Sequence, residues 1–390
     1  MADSQTNTEM GLDSSEMQRY ARHLTLPEVG VEGQKRLKTG SVLMIGAGGL
    51  GSPAAMYLAA AGVGRLGIVD PDIVEASNLQ RQLLYSTADI GRTKLEVATE
   101  RIGHLNPHVQ VTGYAERFDR SNAERIAQDY DLILDGTDNF ATRYLSNDVA
   151  VFQKKPNIYG SIFRFEGQCS VFAPHLGGPC YRCMFPEPPE PGLVPSCAEG
   201  GVLGVLPGIV GSLQAMEAIK ILLGEGESLS GRLLHFDAMR AKFREFKLKR
   251  DPDCAVCGAS PTITEPVDYD QFCGGTGSDE AAPAETEIDV TELAGLLSAE
   301  GFKPTLLDVR EPFEVGIAAI DGSIRIPLGE LAGRHKELSR DRVIFVHCKS
   351  GVRSAQAAEL LRGNGFSDVR NVAGGIDAWA AEVEPDMARY

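Results

Sequence analysis

The chain has 390 residues, which is more than one hydrophobic core usually serves, and its 43% hydrophobic and 24% charged residues are typical of globular proteins. Acidic residues outnumber basic ones by 54 to 38, so the formal net charge is -16. This charge repels polyphosphates and anionic lipids at long range, and it argues against nucleic acid and membrane surfaces as partners. From the chain length we expect two or three globular domains.

The first residues, MADSQTNTEM, contain neither the basic residues nor the apolar stretch of an export signal, which predicts a cytoplasmic location. Residues 1–16 are polar and aperiodic, and we expect them to be disordered, with the first domain spanning residues 17–258. Farther along, residues 202–224 form the longest apolar run. Because a proline and two charged residues interrupt this run, it predicts a buried helix rather than a membrane span.

Short apolar runs alternate with helical patterns in the first domain. Residues 41–45, 65–69 and 131–135 are predicted strands, and residues 93–105 and 121–128 are predicted helices between them. This alternation predicts an α/β fold with a doubly wound, Rossmann-like sheet.

A second, smaller α/β domain is predicted at residues 287–390. Residues 259–286, which precede it, are rich in Pro, Gly, Asp, Glu and Ala and are predicted to be a linker. After the linker, residues 304–308 and 342–347 are predicted strands, and residues 353–361 a predicted helix.

A glycine loop, GAGGLG at residues 46–51, follows the first predicted strand and opens a helix, where backbone N–H groups bind phosphates. Asp70 closes the next strand, where it could bind a ribose hydroxyl. These features do not distinguish NAD from ATP. Amide and guanidinium donors at residues 77–82, Lys94 at a helix start, and DGTDN at residues 135–139 favour nucleotidyl transfer, which needs cations on the phosphates and a carboxylate for magnesium.

With GAGGLG, SNLQRQ, DGTDN, FEGQ, CYRC and GSLQAMEAIK, residues 16–258 resemble the MoeB/ThiF family, bacterial relatives of the ubiquitin-activating enzymes. The resemblance implies a homodimer that uses ATP and Mg²⁺ to adenylate the C-terminal glycine carboxylate of a ubiquitin-like sulfur carrier protein ending in Gly-Gly.

The motifs of that family also imply the nucleotide-binding residues. These are Gly49, Asp70, Ser77, Asn78, Leu79, Gln80, Arg81, Lys94, Asp138 and Asn139. Asp138 is the implied magnesium ligand. We expect Arg81 and Lys94 to neutralise the charge that develops on the phosphate. Arg22, in the RYARH segment, resembles an arginine that family dimers lend to the phosphates of the neighbouring subunit.

Two C-x-x-C pairs, Cys180 with Cys183 and Cys254 with Cys257, can supply the four thiolates of a tetrahedral Zn²⁺ site. Because protein would fill all four positions, the predicted zinc is structural, and the long separation of the pairs means that it would pin a distant segment to the domain. Two redox pairs or four buried thiols are the alternatives.

Three other cysteines lie outside these pairs and before the second domain's predicted loop. Cys197 lies in the Pro/Gly-rich loop VPSCAEGG. In the resembling family a cysteine here has been proposed to carry a thioester or a mixed disulfide, and a thiol without an obligatory role is the alternative. Cys169 and Cys273 are predicted to be bystanders.

The last cysteine, Cys348, follows a predicted strand and opens the loop CKSGVR, which leads into a helix. Backbone N–H groups and the helix N-terminus would stabilise a thiolate there, and Lys349 and Arg353 add positive charge. A small buried residue at a strand end is the alternative.

With LLDVRE at residues 306–311 and GGIDAW at residues 374–379, the second domain resembles the rhodanese family, in which the loop cysteine carries a persulfide. A cysteine phosphatase would have C-x5-R, whereas Cys348 and Arg353 have C-x4-R spacing. Asp308 and Arg310 are not assigned a catalytic role, because an ion pair that holds the domain together explains them as well.

The two resemblances together are closest to two-domain, MoeZ-type proteins. They imply that sulfur from a Cys348 persulfide attacks the acyl adenylate and gives a carrier thiocarboxylate. A cysteine desulfurase or thiosulfate would load Cys348 with sulfur. The alternatives are a nucleotide-sensing binding module and an NAD-dependent oxidoreductase, each with an accessory rhodanese domain.

Overall fold

The structure is a computed structural model that describes residues 11–189, 201–269, 286–299, 301 and 303–390. The described residues belong to two compact α/β units, the first reaching Tyr269 and the second beginning at Thr286. Each unit has its own sheet and its own hydrophobic core, as predicted.

The described part of the first unit contains an eight-stranded sheet. Its strands are β1 (Ser41–Ile45), β2 (Arg65–Val69), β3 (Gln110–Tyr114), β4 (Leu132–Asp135), β5 (Asn157–Phe163), β6 (Glu166–Phe172), β7 (Arg232–Asp237) and β8 (Lys242–Lys247). The spatial order is β3-β2-β1-β4-β5-β6-β7-β8, parallel from β3 to β5 and antiparallel from there to β8. This order confirms the doubly wound prediction. It puts the topological switch point, where the strand order reverses, between β1 and β4, and such folds bind ligands there.

Helices cover the sheet of the first unit. They are α1 (Ser14–Arg19), α2 (Ala21–Leu24), α3 (Gly30–Thr39), α4 (Gly51–Ala61), α5 (Lys94–Leu105), α6 (Ala123–Ala127), α7 (Phe140–Phe152), α8 (Tyr181–Met184) and α9 (Val205–Leu223). Short 3₁₀ turns lie at Ala76–Asn78, Thr87–Asp89 and Pro174–Leu176. Every residue of β1 is buried, which explains its unbroken apolar sequence.

Helix α9 corresponds to the predicted buried helix, and in the described part of the chain it is the one helix long and apolar enough to cross a bilayer. It packs against α4, β5 and β6, and the Gln214 amide donates to the carbonyls of Asp135 and Ile158 at 2.7 and 3.1 Å. The prediction that this helix is buried is wrong for one side of it, where Val205 and Met216 are more than half exposed.

The predicted disorder of residues 1–16 is wrong for residues 11–16. Leu12 is buried, and the Asp13 carboxylate accepts hydrogen bonds from the backbone N–H groups of Ser15 and Glu16. Glu16 accepts in return from the N–H of Asp13 at 2.8 Å, which completes a capping box at the start of α1. Order therefore begins before residue 17.

The predicted linker also begins too early. The Tyr269 side chain is buried in the first unit, and its hydroxyl donates to Asp148 Oδ2 at 2.8 Å. Asp148 also pairs with Arg182 at 2.8 Å, so that a fully buried ion pair anchors this segment. Residues 259–269 therefore belong to the first unit, and residues 270–285 lie outside the described residues.

The second unit contains five described strands, all parallel, in the order β11-β10-β12-β13-β9. They are β9 (Glu287–Ile288), β10 (Thr305–Asp308), β11 (Ile324–Arg325), β12 (Ile344–His347) and β13 (Val369–Val372). The helices are α10 (Val290–Ser298), α11 (Pro312–Val315), α12 (Leu328–Arg334), α13 (Val352–Gly363) and α14 (Gly375–Glu382), with a 3₁₀ turn at His335–Glu337. The central strand β12 ends directly before Cys348.

Candidate active sites

The glycine loop after β1 is shaped by backbone geometry that requires glycine. Gly46 has a φ of +92°, in the left-handed region that side chains disfavour. At the start of α4, a Cβ on Gly51 would overlap the carbonyl oxygen of Gly46. The close approach of α4 to β1 therefore depends on the two glycines, and it leaves the N-terminus of α4 facing the end of the sheet.

A cavity of about 580 Å³ lies at the carboxyl ends of β1, β2 and β4. The predicted nucleotide-binding residues that line it are Gly49, Asp70, Arg81, Lys94, Asp138 and Asn139. The predicted residues that are not among its lining are Ser77, Asn78, Leu79, Gln80 and Arg22. Six residues that are far apart in sequence therefore meet at the switch point.

Lys94 is held at this cavity by two carboxylates. Its Nζ lies 2.7 Å from Asp72 Oδ2 and 3.8 Å from Asp70 Oδ1. Asp70 also accepts a hydrogen bond from the N–H of Ala47 in the glycine loop at 2.8 Å. Burial raises the pKa of Asp70, and the nearby Lys94 charge opposes that shift. Sequence reasoning missed Asp72, although it lies two residues beyond the predicted Asp70.

The segment before Arg81 forms a turn that holds the Arg81 side chain by a hydrogen bond. The Asn78 side chain is buried and accepts from the N–H of Glu75 at 3.2 Å, which closes the 3₁₀ turn. Arg81 Nη1 donates to the carbonyl of Ser77 at 3.0 Å. The motif thus shapes the turn that presents Arg81 to the cavity, and Gln82, the last residue of the predicted donor segment, is buried in the cavity wall.

Asp138 and Asn139 follow β4 at the cavity edge. Asn139 caps α7 by accepting a hydrogen bond from the N–H of Thr142 at 2.9 Å, whereas the Asp138 side chain is exposed. Sequence reasoning missed Arg143, which is buried in the wall and donates to the carbonyl of Thr137 at 3.1 Å. Its position four residues after Asn139, on the first turn of α7, was the available signal.

The four cysteines of the two C-x-x-C pairs come together, with their sulfur atoms within 4.8 Å of one another. The Cys180 sulfur lies 3.8 Å from that of Cys183 and 3.5 Å from that of Cys254, and Cys183 lies 3.4 Å from Cys257. A tetrahedron with zinc–sulfur bonds of 2.3 Å has sulfur–sulfur edges of about 3.8 Å, so the cluster has the donors and spacing that zinc needs.

The pKa shifts of the cluster thiols show why a metal cation would suit this site. The hydrogen bond with Cys183 raises the pKa of Cys180, while the hydrogen bond with Cys180 lowers the pKa of Cys254, because neighbouring thiols ionise at each other's expense. A metal ion would allow all four to ionise. One pair lies at the start of α8 and the other beyond β8, so the cluster joins the chain after the last strand to the body of the unit.

Cys348 lies at the end of β12 and is fully buried. Its sulfur accepts a hydrogen bond from the N–H of Gly351 at 3.1 Å and lies 3.3 Å from the Ser354 hydroxyl. Gly351 has a φ of +99°, which turns the loop back towards the sulfur before α13 begins. One backbone N–H and one hydroxyl of this segment therefore contact the Cys348 sulfur.

The charged residues around this loop are paired. Arg353 Nη1 lies 2.7 Å from Glu314 Oε2, and Arg310 Nη2 lies 2.6 Å from Asp308 Oδ2. The second pair is fully buried beneath the loop, in agreement with an ion pair that holds the domain together. Burial acts to raise the pKa of Glu314, but the hydrogen bonds from Arg353 hold it below its usual value.

The remaining cysteines divide by position. Cys169 is buried on β6, where burial raises the pKa of its thiol well above the usual range, in keeping with a bystander. Cys197 and Cys273 lie outside the described residues.

Comparison with protein families finds two matches. Residues 20–256 match the ThiF family, and residues 289–382 match the rhodanese-like domain. The first match covers more than half of the chain.

Curated relatives are similar over nearly the whole chain. The probable adenylyltransferase/sulfurtransferase MoeZ of Mycobacterium tuberculosis (strain CDC 1551 / Oshkosh) is 50% identical over 97% of this chain and 96% of its own length. The adenylyltransferase and sulfurtransferase MOCS3 of Sus scrofa is 43% identical over 97% of this chain and 89% of its own length.

Solved structures support the fold of the first unit. E. coli MccB, in a crystal structure with MccA-N7isoASN, has a TM-score of 0.57 and 22% identity and covers 64% of this chain and 76% of its own. A crystal structure of the same protein with ATP has a TM-score of 0.54 and 24% identity, covering 63% and 75%.

Proposed function

The chain belongs to the ThiF family and carries a rhodanese-like domain, and from this premise we propose that it adenylates the C-terminus of a ubiquitin-like sulfur carrier and then converts it to a thiocarboxylate. Its relatives are adenylyltransferases and sulfurtransferases at 43–50% identity, which does not favour the oxidoreductase and nucleotide-sensor alternatives. The observation that carries the proposal is the switch-point cavity, where Arg81, Lys94 and Asp138 meet the glycine loop.

In the adenylation step, a carboxylate oxygen of the carrier attacks the α-phosphorus of ATP, and the bond to the β-phosphate oxygen breaks. The glycine loop and the N-terminus of α4 would hold the phosphates, and Asp70 the ribose. Negative charge grows on the α-phosphate and on the departing pyrophosphate, so Arg81 and Lys94 would lower the barrier by neutralising it. For this, Lys94 must exchange its contact with Asp72 for a phosphate oxygen.

Magnesium fits the exposed Asp138 carboxylate at the cavity edge, because hard cations prefer oxygen ligands. Bound there with ATP, Mg²⁺ would neutralise phosphate charge and assist pyrophosphate as a leaving group. Asn139 keeps Asp138 in place by capping α7 directly behind it.

Pyrophosphate exchange into ATP, with a carrier protein ending in Gly-Gly, tests the adenylation step. Lys94→Ala and Arg81→Ala should each lower the exchange rate by about a hundredfold, as for loss of one preorganised charge-stabilising group. Asp138→Ala should also raise the magnesium concentration needed. Lys35→Ala is the control, because Lys35 lies on α3 at the opposite end of β1. Three variants as active as the parent protein would refute this site.

We infer that the carrier docks on the exposed surface beyond the cavity, formed by Phe165, Met239 and Phe243, which we call the β8 surface. The cavity wall includes the last residues of β5, and the β5–β6 and β7–β8 turns lie at the same end of the sheet. Strand β8 is the edge of the sheet. An apolar surface continuous with the cavity suits a protein whose flexible tail enters that cavity.

Met239→Glu tests this docking surface, because Met239 is 70% exposed and its replacement should not disturb the fold. We expect the KM for the carrier to rise about tenfold, while kcat at saturation stays near that of the parent protein. Leu176→Glu is the matched control. Leu176 is also 70% exposed, but it follows β6 at the opposite end of the sheet. Equal effects of the two substitutions would contradict the assignment.

In the sulfur-transfer step, the outer sulfur of a Cys348 persulfide attacks the acyl carbon, and the bond from this carbon to the AMP oxygen breaks. The product is an acyl disulfide. A second thiol then attacks the Cys348 sulfur, the sulfur–sulfur bond breaks, and the thiocarboxylate leaves. The second thiol and Cys348 are thereby oxidised to a disulfide. Cys197 is our candidate for that thiol. A cellular dithiol would reduce this disulfide and be oxidised to a disulfide itself, and a cysteine desulfurase or thiosulfate would then reload the free Cys348 thiol.

We also propose that the protein is a homodimer. A groove lined by His23, Tyr57, Met216 and Ile219 lies between α2, α4 and α9, and Tyr57 and Met216 are each more than half exposed. Arg22, predicted to serve the neighbouring subunit, adjoins this groove on α2 and is exposed. A second copy seated on the groove would cover its apolar side chains.

Two further assignments complete the proposal. We assign zinc to the four-cysteine cluster on the basis of its donors and spacing. We also propose a cytoplasmic location, because paired cysteines that bind metal rather than form disulfides suit a reducing compartment.

A further inference from the structure

Tyr390 contacts the loop at residues 348–353 from the side. Its hydroxyl accepts a hydrogen bond from Arg310 Nη1 at 2.7 Å and donates one to Glu314 Oε1 at 3.2 Å. The ammonium group of Lys349, the residue after the cysteine, lies 4.8 Å from the centre of its ring, a cation–π distance. One side chain thus contacts both the start of the loop and the charged residues beside it.

The same network reaches the other end of the loop. Glu314 accepts hydrogen bonds from both terminal nitrogens of Arg353, at 2.7 and 2.8 Å. This two-pronged geometry is the strong form of a carboxylate–guanidinium contact. Because the Glu314 side chain is buried, its orientation is set by the groups that contact it, which are Arg353, Tyr390 and the backbone N–H of Glu311 at 3.0 Å.

We propose that Tyr390 is a positioning residue for sulfur transfer, which fixes Lys349 directly and Arg353 through Glu314. The inference rests on the proposed sulfur-transfer function, and it makes Tyr390 a residue that affects which sulfur donor the protein prefers. Because Tyr390 and Glu314 hold Lys349 and Arg353, the loop keeps one conformation around Cys348. A fixed conformation favours a high kcat. The same contacts make the positive charges of Lys349 and Arg353 less available to a dianionic sulfur donor, so such a donor binds more weakly.

Thiosulfate and cyanide provide an assay on the full chain. The Cys348 thiolate attacks the outer sulfur of thiosulfate, the sulfur–sulfur bond breaks, and sulfite leaves with the bonding electron pair. Cyanide then attacks the outer sulfur of the persulfide, forms thiocyanate and releases the Cys348 thiolate. Both steps conserve atoms and electrons, and thiosulfate is the dianionic probe whose KM reports on the availability of the loop cations.

Two substitutions separate the ring from the hydroxyl. Tyr390→Phe keeps the ring beside Lys349 and removes both hydroxyl hydrogen bonds, so kcat should fall about threefold with little change in KM. Tyr390→Leu also removes the cation–π contact. It should lower kcat about tenfold and lower the KM for thiosulfate about threefold, because Lys349 is released to meet the anion.

The controls distinguish positioning from loss of structure. Tyr114→Phe removes a hydroxyl that lies 3.1 Å from the Tyr130 hydroxyl in the first unit and should leave both constants unchanged. A merely structural role for Tyr390 would reduce the active fraction, so that kcat falls while KM stays the same. That pattern in Tyr390→Leu, or parental values of both constants, would overturn the inference. Equal thiocyanate formation by the parent protein and Cys348→Ala, or none by the parent protein, would instead refute the proposed sulfur-transfer function.

Discussion

Buried ion pairs lie beside Cys348 in the second unit. Asp308 and Glu314 are both buried, and burial alone would raise their pKa values. Hydrogen bonds from Arg310 and Arg353 reverse that shift, so both pKa values lie below their usual range. Each carboxylate therefore contributes stability above its unfolded pKa, and that contribution is lost as the pH falls through the lower, folded pKa.

Glu314→Gln tests this linkage. At pH 7 the variant should be less stable than the parent protein by about 2 kcal/mol, because it loses a charged pair. The difference should shrink as the pH falls from 7 to about 3, because the unfolded parent protein binds a proton at the ordinary glutamate pKa, whereas the lowered pKa keeps the folded carboxylate charged. Thermal unfolding of the second unit at both pH values provides the measurement.

Glu337→Gln is the matched control, since Glu337 forms an exposed pair with Arg334 and such pairs contribute little. The stability of this variant should stay close to that of the parent protein at both pH values. A Glu314→Gln difference that is equally large at pH 7 and pH 3 would contradict the linkage.

Among the elements, the buried parallel strands could be predicted from the sequence, but the side-chain contacts between segments far apart in the chain could not. Strand β1 is buried throughout and therefore has an unbroken apolar sequence. Tyr269, by contrast, lies in a polar segment predicted as linker, and its partner Asp148 is 121 residues away. Tyr390 was missed for the same physical reason, because its partners Arg310 and Glu314 lie 80 and 76 residues away in the chain.

The four-cysteine cluster joins the segment after β8 to the body of the first unit. We expect about one Zn²⁺ per chain in protein purified without added metal. Cys254→Ser should abolish stoichiometric zinc and lower the midpoint of thermal unfolding by on the order of 5–10 °C, because metal binding stabilises the folded state. Elemental analysis and calorimetry would measure the two effects.

Cys169→Ala is the control for that experiment, because Cys169 is a buried cysteine outside the cluster. It removes a thiol and should leave the metal content unchanged. Metal-free protein in which all four cluster thiols titrate freely would show that the zinc assignment is wrong.

On the scale of the whole molecule, the proposed homodimer predicts that two inactive variants restore each other. Arg22 would act on the neighbouring cavity, whereas Lys94 lines the cavity of its own chain. Arg22→Ala and Lys94→Ala should each be nearly inactive in pyrophosphate exchange. Equal mixing with subunit exchange should restore about a quarter of the parental activity, since half of the dimers are mixed and each has one complete site.

Mixing Lys94→Ala with Asp138→Ala is the matched control for complementation. Both residues line the cavity of one chain, so every site in the mixed dimer lacks one of them. This mixture should stay inactive. Activity in the control mixture, or none in the mixture with Arg22→Ala, would contradict the assignment of Arg22 to the neighbouring subunit.

The two units of the chain predict two separable activities. Each has its own sheet and core, and Cys348 lies in the second unit, whereas the described residues that line the nucleotide cavity lie in the first. Cys348→Ala removes the proposed persulfide carrier and no residue of that cavity. We therefore expect pyrophosphate exchange to continue at the parental rate while thiocarboxylate formation from a sulfur donor stops.

Adding residues 287–390 as a separate protein to Cys348→Ala should restore part of the thiocarboxylate formation. The restored rate should be lower than that of the parent chain, because a tether supplies an effective concentration of up to about millimolar that a separate protein lacks. Mass spectrometry of the carrier detects the product, since sulfur is heavier than the oxygen it replaces. Residues 287–390 carrying Cys348→Ala are the control and should restore nothing. If Cys348→Ala alone gave the parental yield of thiocarboxylate, the sulfur could not come from Cys348, and Cys197 would become the candidate carrier.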